Sequence, residues 1–249
     1  MNKEHYKIMV VNPILTTVFD EFDQKFLQAR AGPQFTVEIR SLTNGVETIE
    51  GDYDDVLCAP FVVDKVLEVE RQGYDAAIID CFLDPGLRAA REATDIVVVG
   101  PGEASMLLSM TLGDSFSILS TSAKRYKSYV PNSRVRQLGL SERFVSEWGA
   151  GFTVASIPEN TDRIATQLVR AAKEMQEEDE PDVIILGCTG LSRVVDVVAP
   201  RIDIPIIDPS IAALSMTQAL VMSKFRQSRA SYRRPGKKTR KVPGTTFLK

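Results

Sequence analysis

Short, continuously apolar runs alternate with longer amphipathic segments along the chain. Such runs are typical of strands that are buried on both faces, as in a parallel sheet. The amphipathic segments carry apolar residues at helical spacing, most clearly over Thr161–Glu178. This alternation predicts a doubly wound α/β protein. The predicted strands are Lys7–Val11, Phe35–Leu42, Tyr74–Asp80, Asp95–Val99, Phe116–Leu119, Asp182–Leu186 and Ile204–Ile207.

Other segments carry weaker patterns. Phe61–Arg71 has apolar residues at helical spacing, and Pro60 is expected at its start or at a kink. A polar helix is expected after Ser120-Thr121-Ser122 and before Pro131. Phe152–Ile157 is interpreted as an extended segment.

Two of the apolar runs lead directly to a cysteine. They read IIDCFLDPG over Ile78–Gly86 and IILGCTG over Ile184–Gly190. Asp84 is predicted to cap a helix that has Pro85 in its first position, and Thr189 is given a similar capping role. Each thiol is therefore expected at the carboxyl end of a strand and beside a helix N-terminus, where α/β proteins bind ligands.

This placement favours acid–base chemistry. A cysteine with a pKa near 8.5 is roughly 3% thiolate at pH 7, and lowering its pKa by ~1.5 units makes it about half ionised. A helix N-terminus supplies much of that effect. Two thiols on opposite faces of a carbon acid can racemise it without a cofactor, because one removes a proton and the other returns one. Position alone leaves open the alternative that both cysteines are small buried packing residues.

Composition excludes several classes of protein. Hydrophobic and charged residues make up 44% and 25% of the 249 residues, as in ordinary globular proteins. No apolar run approaches 18 residues, so no membrane span is expected. The first residues lack an apolar signal core, and the three cysteines have no paired spacing. We therefore expect a cytoplasmic protein without a structural disulfide.

Cofactor signatures are also missing from the sequence. No GxGxxG follows the first strand and no GxxxxGK[ST] occurs, so NAD and ATP have no support. The single histidine, His5, has no ligand partner nearby in sequence, which argues against a metal site and against His-based nucleophilic catalysis. Proton transfer then falls to thiols, carboxylates, Lys or Tyr. Cys58 is interpreted as a packing residue.

The C-terminal segment Lys224–Lys249 differs from the rest in charge. It holds ten of the thirty basic residues and no acidic one, whereas residues 1–223 carry a net charge of −13. A basic tail of this kind binds nucleic acid in some proteins. We favour the alternative that it packs back on the acidic body or lies at a subunit contact.

Several segments together resemble the aspartate/glutamate racemase superfamily and, within it, the hydantoin racemase branch. The resemblance extends over nearly the whole chain, and the DCFxDPGLxAxRE and LGCxG pair is specific in combination. The segments that carry it are VNP at Val11–Pro13, TIEG at Thr48–Gly51, GYDAAIIDCFLDPGLRAARE at Gly73–Glu92, GPGEA at Gly100–Ala104, FSILST at Phe116–Thr121, VIILGCTGL at Val183–Leu191 and IDP at Ile207–Pro209.

The resemblance implies two pseudosymmetric α/β lobes with mainly parallel sheets flanked by helices, and an active site in the cleft between them. Residues 1–100 plus 206–249 would form the lobe with Cys81, and residues 101–205 the lobe with Cys188. It also implies a small-molecule substrate, no cofactor, no metal, no nucleic-acid or membrane partner, and a homo-oligomer. The implied catalytic residues are Cys81 and Cys188, and the implied substrate-binding residues are Asn12, Thr48, Thr121, Thr189 and Gly190. Donors of this kind lower the barrier to an enolate-like anion.

The chain departs from the pattern of the branch at two places. Hydantoin racemases typically read NPNTT after the first strand, whereas this chain has Ile14 and Leu15 between Pro13 and Thr16. Leu83 stands where a glycine is usual after Cys-Phe. Both changes affect the expected pocket wall and keep the thiol pair. The identity of the substrate therefore stays undetermined at this point.

The leading hypothesis is a cofactor-independent racemase acting at C5 of a hydantoin, allantoin included. Alternatives on the same scaffold are a cofactor-free decarboxylase, which needs only one thiol, a maleate-type cis–trans isomerase, and an aspartate or glutamate racemase. A non-enzymatic alternative is a small-molecule sensor or a nucleic-acid-associated protein that uses the basic tail. That last hypothesis predicts strongly salt-dependent binding to nucleic acid.

If two thiols do the chemistry, racemisation should survive exhaustive dialysis against a chelator. A reductant should raise the measured rate, because accessible low-pKa cysteines oxidise readily. The rate before and after dialysis is measured by polarimetry. Activity that is lost on dialysis and restored by a metal ion or by pyridoxal phosphate would contradict the two-thiol mechanism.

Overall fold

The two cysteines of the predicted site lie in separate units of the chain. The computed structural model describes residues 5–246; the outermost ends of the predicted lobes, residues 1–4 and 247–249, lie outside them. The first unit is Met1–Pro101 with Ala213–Lys249, and the second is Gly102–Ala212. The boundary predicted after residue 205 differs from this division, because Ile206–Ile207 is a strand of the second unit's sheet.

The first unit is built on a four-stranded parallel sheet. Its strands follow the order β2-β1-β3-β4, so the first and third strands of the chain are neighbours. Their register places Val11 opposite Ile79. The strands are β1 (Tyr6–Asn12), β2 (Phe35–Ser41), β3 (Ala76–Ile79) and β4 (Val97–Val99).

Three helices connect these strands: α1 (Asp20–Arg30), α2 (Asp52–Arg71) and α3 (Leu87–Ala93). Apolar residues from the strands, α2 and α3 form one buried cluster. Each large apolar side chain that is fully buried contributes roughly 1.5–3 kcal/mol to stability. The cluster contains Met9, Val11, Leu42, Val62, Val63, Val66, Val69, Tyr74, Ala77, Ile79, Leu87, Ala90 and Val98.

Helix α2 begins nine residues before the predicted start at Phe61, and Pro60 lies inside it. The first turn carries Asp52, Asp54 and Asp55, whose negative charges stabilise a helix N-terminus. The apolar pattern did not reveal this half, because Val56 and Leu57 are exposed rather than packed in the core.

The second unit is built on a five-stranded sheet of order β6-β7-β5-β8-β9. All its pairs are parallel except that of β6 with β7. The strands are β5 (Phe116–Ser120), β6 (Tyr126–Ser128), β7 (Phe144–Gly149), β8 (Val183–Leu186) and β9 (Ile206–Ile207). Its helices are α4 (Pro101–Ser109), α5 (Ser133–Gln137), α6 (Thr161–Asp179) and α7 (Ser192–Val198). Helix α8 (Pro209–Met222) begins in this unit, and its residues from Ala213 onward belong to the first.

The polar helix predicted after Thr121 is wrong, because the chain forms strand β6 there. Lys127 lies 3.9 Å from the ring centroid of Trp148 and pairs with Glu178. These side-chain contacts fix a short exposed strand that has no apolar pattern of its own. The extended segment predicted over Phe152–Ile157 is also largely wrong, since Val154–Ser156 is a 3-10 turn.

Both units repeat one topology. In the first, the chain moves from β1 outward to β2 and then returns to the other side of β1 for β3. In the second, it moves from β5 to β7 and returns to the other side of β5 for β8. A reversal of this kind leaves a crevice outside the carboxyl ends of the two strands at the switch point, where open α/β sheets bind ligands.

The basic tail packs along the first unit, in agreement with the packing interpretation of its charge. Arg229 donates to the carbonyl oxygens of Arg91 and Glu92 at 3.0 and 3.2 Å. It also pairs with Asp95 at 2.5 Å. Further along, the backbone N–H of Thr246 donates to Asp64 Oδ2 at 2.8 Å.

Tyr232 anchors the middle of the tail. Its ring centroid lies 5.2 Å from the guanidinium of Arg88 and 5.4 Å from that of Arg91. Its hydroxyl accepts a hydrogen bond from Arg91 at 3.1 Å. Arg91 is itself buried and donates through Nε to the carbonyl oxygen of Val98 at 2.9 Å. The tail is thereby tied to α3 and to edge strand β4.

Over residues 5–246, no helix is both long and apolar enough to cross a lipid bilayer.

Replacing Tyr232 by alanine should destabilise the protein by about 2 kcal/mol, because two cation–π contacts and one hydrogen bond are lost with the buried part of the ring. The melting temperature should fall by about 5 °C. Arg233→Ala, next to it but exposed, is the matched control and should change stability by less than ~0.5 kcal/mol. Equal melting temperatures for Tyr232→Ala and the parent would show that the tail does not support the fold.

Candidate active site

Cys81 follows β3 by two residues, at the carboxyl edge of the first sheet. Its N–H donates to the carbonyl oxygen of Ile79 at 2.7 Å, and its own carbonyl oxygen accepts from the N–H of Asp84 at 2.9 Å. The preceding residue, Asp80, donates its N–H to the carbonyl oxygen of Val11 on β1 at 2.8 Å. The Cys81 side chain is partly exposed. The thiol therefore lies at the switch point, on a loop fixed by backbone hydrogen bonds.

The N-cap predicted at Asp84, with Pro85 as the first helical residue, is wrong, whereas the helix does begin at Leu87 as predicted. Helix α3 begins at Leu87, preceded by Gly86 with φ +68°. Asp84 itself has φ +51°, which is rare for a residue other than glycine. Left-handed residues at positions 84 and 86 interrupt a right-handed helix, so the turn around Pro85 separates Cys81 from α3.

The buried Asp84 side chain explains why glycine occupies position 100. A β-carbon at position 100 would lie within 3.0 Å of the Asp84 carboxyl group and of Leu87. Gly100 is the single residue between β4 and α4. The carboxyl group of the Cys81 loop is therefore packed against the start of the next helix.

Cys188 occupies the corresponding place in the second unit, two residues after β8. Gly187 donates its N–H to the carbonyl oxygen of Leu119 on β5 at 2.8 Å. Cys188 directly precedes a 3-10 turn, Thr189–Leu191, that continues into α7, and its own side chain does not cap that turn. Cys188 is partly exposed, whereas Thr189 is buried. The predicted capping role of Thr189 is not seen, because Thr189 lies inside the turn.

A second buried carboxylate joins the start of α8 to the start of α7, which follows the Cys188 turn. Asp208 is the single residue between β9 and α8, and it accepts the N–H of Ile211 at 2.9 Å as the N-cap of α8. Its other oxygen accepts the hydroxyl of Ser192 at 2.7 Å. Ser192 and Asp208 were not predicted from the sequence. The Asp-Pro pair at the start of a predicted helix is the N-cap pattern that would have identified Asp208.

The two thiols have different sequence neighbours. Cys81 lies between Asp80 and Asp84, two buried carboxyl groups. Cys188 lies between Gly187 and Thr189 and begins a helical turn. The two half-sites are therefore alike in backbone placement and unlike in the residue types beside the thiol.

Asn12 ends β1 beside the Cys81 loop, and its amide nitrogen is engaged inside the protein. Nδ2 donates to Asp20 Oδ1 at 2.9 Å and to Ser41 Oγ at 3.0 Å. Ser41 Oγ in turn lies 2.8 Å from Asp20 Oδ1. This network joins the end of β1 to α1 and β2. Substrate contact by Asn12 stays a prediction.

The other predicted binding residues lie on the same edges. Thr48 is partly exposed on the loop that follows β2, and Thr121 directly follows β5. The first unit thus gathers Asn12, Thr48 and Cys81 at its carboxyl edge. The second unit gathers its own predicted residues at its carboxyl edge, namely Thr121, Cys188, Thr189 and Gly190.

Cys58 is fully buried on α2. Burial raises the pKa of the Cys58 thiol, and the nearby carboxylates of Asp54 and Asp55 add to the rise, against a hydrogen bond from the backbone of Val46. A buried thiol with a raised pKa is a poor acid–base group. This environment agrees with the packing role predicted for Cys58.

His5 bonds the hydroxyl of Thr36 at 2.6 Å on an exposed surface. Among residues 5–246, no three side chains of His, Cys, Asp or Glu are grouped as a metal ion would require.

Comparison with known proteins gives consistent results. The family model described as Asp/Glu/Hydantoin racemase matches residues 8–217. A hydantoin racemase of Paenarthrobacter aurescens is 31% identical over 234 residues, which are 93% of this chain and 98% of that protein. The structure of an allantoin racemase from Klebsiella pneumoniae superposes with a TM-score of 0.86 at 25% identity, covering 96% of this chain and 97% of that one.

A glutamate racemase from Francisella tularensis superposes with a TM-score of 0.62 at 16% identity, covering 89% of this chain and 82% of that one. At that identity the likeness concerns the fold alone. The predicted α/β class with mainly parallel sheets is confirmed.

Gly100→Ala should destabilise the protein by about 1–3 kcal/mol, because the added methyl group has to displace the Asp84 carboxyl group from its buried position. Since Asp84 closes the turn that carries Cys81, the rate should fall along with the melting temperature. Gly236→Ala is the control, as a β-carbon there meets nothing within 4 Å. Thermal melting of both variants tests this, and an unchanged Gly100→Ala variant would show that Asp84 is free to move.

Proposed function

The chain belongs to the Asp/Glu/hydantoin racemase family and is an isomerase of the racemase type, and we propose that it inverts C5 of a hydantoin-type ring with Cys81 and Cys188 as its two acid–base groups. The substrate is then a 5-substituted hydantoin or allantoin, whose 5-substituent is a ureido group.

One observation carries this proposal. In each unit a thiol follows the strand at the switch point by two residues, is partly exposed, and is held by backbone hydrogen bonds. The third cysteine is buried on a helix and lacks this placement. A packing role would not require two thiols at equivalent loop positions in two separate units.

The proposed reaction needs no group from outside the chain. The thiolate of one cysteine removes the C5 proton, and the electron pair delocalises into the adjacent ring carbonyl. The thiol of the other cysteine donates its proton to the opposite face of the planar anion. The two cysteines have then exchanged protonation states, and proton exchange with water resets them for the next substrate.

Hydrogen-bond donors near the thiols are proposed to stabilise the anion. The candidates are the hydroxyl of Thr121, the hydroxyl of Thr189 and the backbone N–H of Gly190. A preorganised donor of this type lowers a barrier by about 2.7–4 kcal/mol. All three lie at the carboxyl edge of the second sheet.

A hydantoin ring suits a site with thiols as its bases. Its C5 proton lies between a carbonyl group and a ring nitrogen, so its removal gives a delocalised anion. A decarboxylase would need only one thiol to protonate such an anion, so the equivalent placement of two favours racemisation. Polarimetry on a panel of enantiopure hydantoins, allantoin, aspartate and glutamate tests the substrate class directly.

We also propose a cytoplasmic location and a homo-oligomeric state. Thiols that must stay reduced suit a reducing compartment. Exposed apolar side chains in the second unit, Tyr129 and Val130 among them, favour contact with a further copy of the chain.

Cys81→Ser and Cys188→Ser should each lower the rate of racemisation by ~10²–10⁴, because the serine hydroxyl is too weak an acid to replace a thiol. Each single variant keeps one thiol. It should therefore still exchange the C5 proton of one enantiomer with deuterium, with retention of configuration, and the two variants should act on opposite enantiomers. NMR of each enantiomer in heavy water, corrected for spontaneous exchange, measures this.

Cys58→Ser is the matched control and should racemise at the parent's rate. Exchange of the same enantiomer by both single variants, or normal racemisation by Cys81→Ser, would contradict the assignment of the two thiols.

A further inference from the structure

Exposed apolar side chains in the first unit concentrate at the edge of the sheet where Cys81 lies. Leu15 is 39% exposed and Val18 51% exposed, and both lie on the loop that follows β1. Leu83, two residues after Cys81, is partly exposed. Leu15, Val18 and Leu83 together form the apolar rim. Tyr53, Val56 and Leu57, at the start of α2, are exposed on the segment that follows β2.

The strand pairing puts the rim on the same edge of the sheet as the thiol. Strands β1 and β3 are hydrogen-bonded neighbours, and Asp80 still bonds Val11 beyond the last paired residue. The loops that carry Leu15 and Cys81 therefore leave the sheet side by side, about 5 Å apart at their base.

The loop after β1 is fixed rather than loose. The N–H of Leu15 donates to the carbonyl oxygen of Val46 at 3.0 Å, and the carbonyl oxygen of Ile14 accepts the N–H of Leu42 at 3.2 Å. Ile14 is buried while Leu15 is not. The N–H and the C=O of the peptide group that links Ile14 to Leu15 are thus both hydrogen-bonded, and they hold the Leu15 side chain at the surface.

Several polar groups at this corner are bonded to each other. The amide nitrogen of Asn12 and the hydroxyl of Ser41 both bond to Asp20, and Ser41 also reaches the carbonyl oxygen of Thr16 at 3.0 Å. These polar groups are engaged inside the protein, whereas Leu15 and Val18 leave hydrocarbon exposed at the same corner.

We propose that the apolar rim of Leu15, Val18 and Leu83 determines specificity, so that the enzyme prefers hydantoins with an apolar C5 substituent over allantoin. The inference rests on the proposed function and deepens it. A ureido group carries N–H and C=O groups that lose their water on binding, and a hydrocarbon wall gives them no hydrogen bonds in return. An alkyl or benzyl group gains from the same contact.

The test compares kcat/KM for enantiopure 5-isobutylhydantoin, 5-benzylhydantoin and allantoin, with spontaneous racemisation subtracted. We expect the parent to favour the two apolar substrates by at least tenfold, since a single methylene group in an apolar pocket is worth about that much. Leu15→Asn and Leu83→Asn should each lower this ratio by about tenfold or more, mainly through slower turnover of the apolar substrates.

Leu112→Asn is the matched control. Leu112 is 52% exposed in the turn before β5. This turn lies at the amino edge of the second sheet, away from the carboxyl edge that carries Cys188, so the substitution should leave the ratio unchanged. Thermal melting and gel filtration of all three variants accompany the rates.

Three results would overturn the inference. The first is a parent enzyme that acts on allantoin as well as on the apolar hydantoins. The second is a ratio that neither rim substitution changes. The third is a rim substitution that alters oligomeric state but not the ratio, since the rim is then an interface between copies. Failure to racemise any hydantoin would instead overturn the proposed function itself, and this inference with it.

Discussion

The arrangement of this protein depends on parallel sheets whose strands are buried on both faces. Ile8, Met9, Val10 and Val11 of β1 have no exposed surface, and neither have the four residues of β8. A polar side chain within such a strand would lose its water without gaining partners. Chemistry is therefore confined to the loops that leave the sheet, and among them to the carboxyl edge, where two loops diverge at the switch point.

A buried carboxylate lies near the reactive loop of each unit, and it comes from a different element in each. In the first unit the carboxylate belongs to the thiol loop, as Asp84, and a glycine before α4 makes room for it. In the second unit it is Asp208, directly before α8, and it accepts the hydroxyl of Ser192, the first residue of α7.

The sequence predicted those parts whose stability comes from apolar burial along the chain. Helix α6 was predicted over Thr161–Glu178 and extends to Asp179, and the buried strands were found within about two residues. Strand β6 was not predicted, because its three residues are exposed or partly exposed and carry no apolar pattern. Contacts of Lys127 with Trp148 and Glu178, which are distant in sequence, hold it in place.

The candidate site also has parts that the sequence predicts and parts that it does not. The edge on which each cysteine lies follows from the apolar run before it, so it could be predicted. The left-handed turn at Asp84 could not be predicted, because the pair Asp-Pro usually begins a helix. The contact that accommodates the buried Asp84 side chain is with Gly100, which lies 16 residues further along the chain. The bond of Asn12 to Ser41 joins residues 29 apart, which local patterns do not encode.

The discontinuity of the first unit has a consequence for biosynthesis. Its sheet is complete once Val99 has emerged from the ribosome, yet α8 and the tail, which bond to Gly32 and Val98, are made last. At about 5–20 residues per second, the second unit takes roughly 6–20 s to synthesise. Throughout that interval the nascent first unit exposes the surface that its own C-terminus will cover. The time for which this surface stays uncovered is therefore set by the order in which the chain is translated, and it would be shorter in a circular permutant that joins the two parts of the first unit.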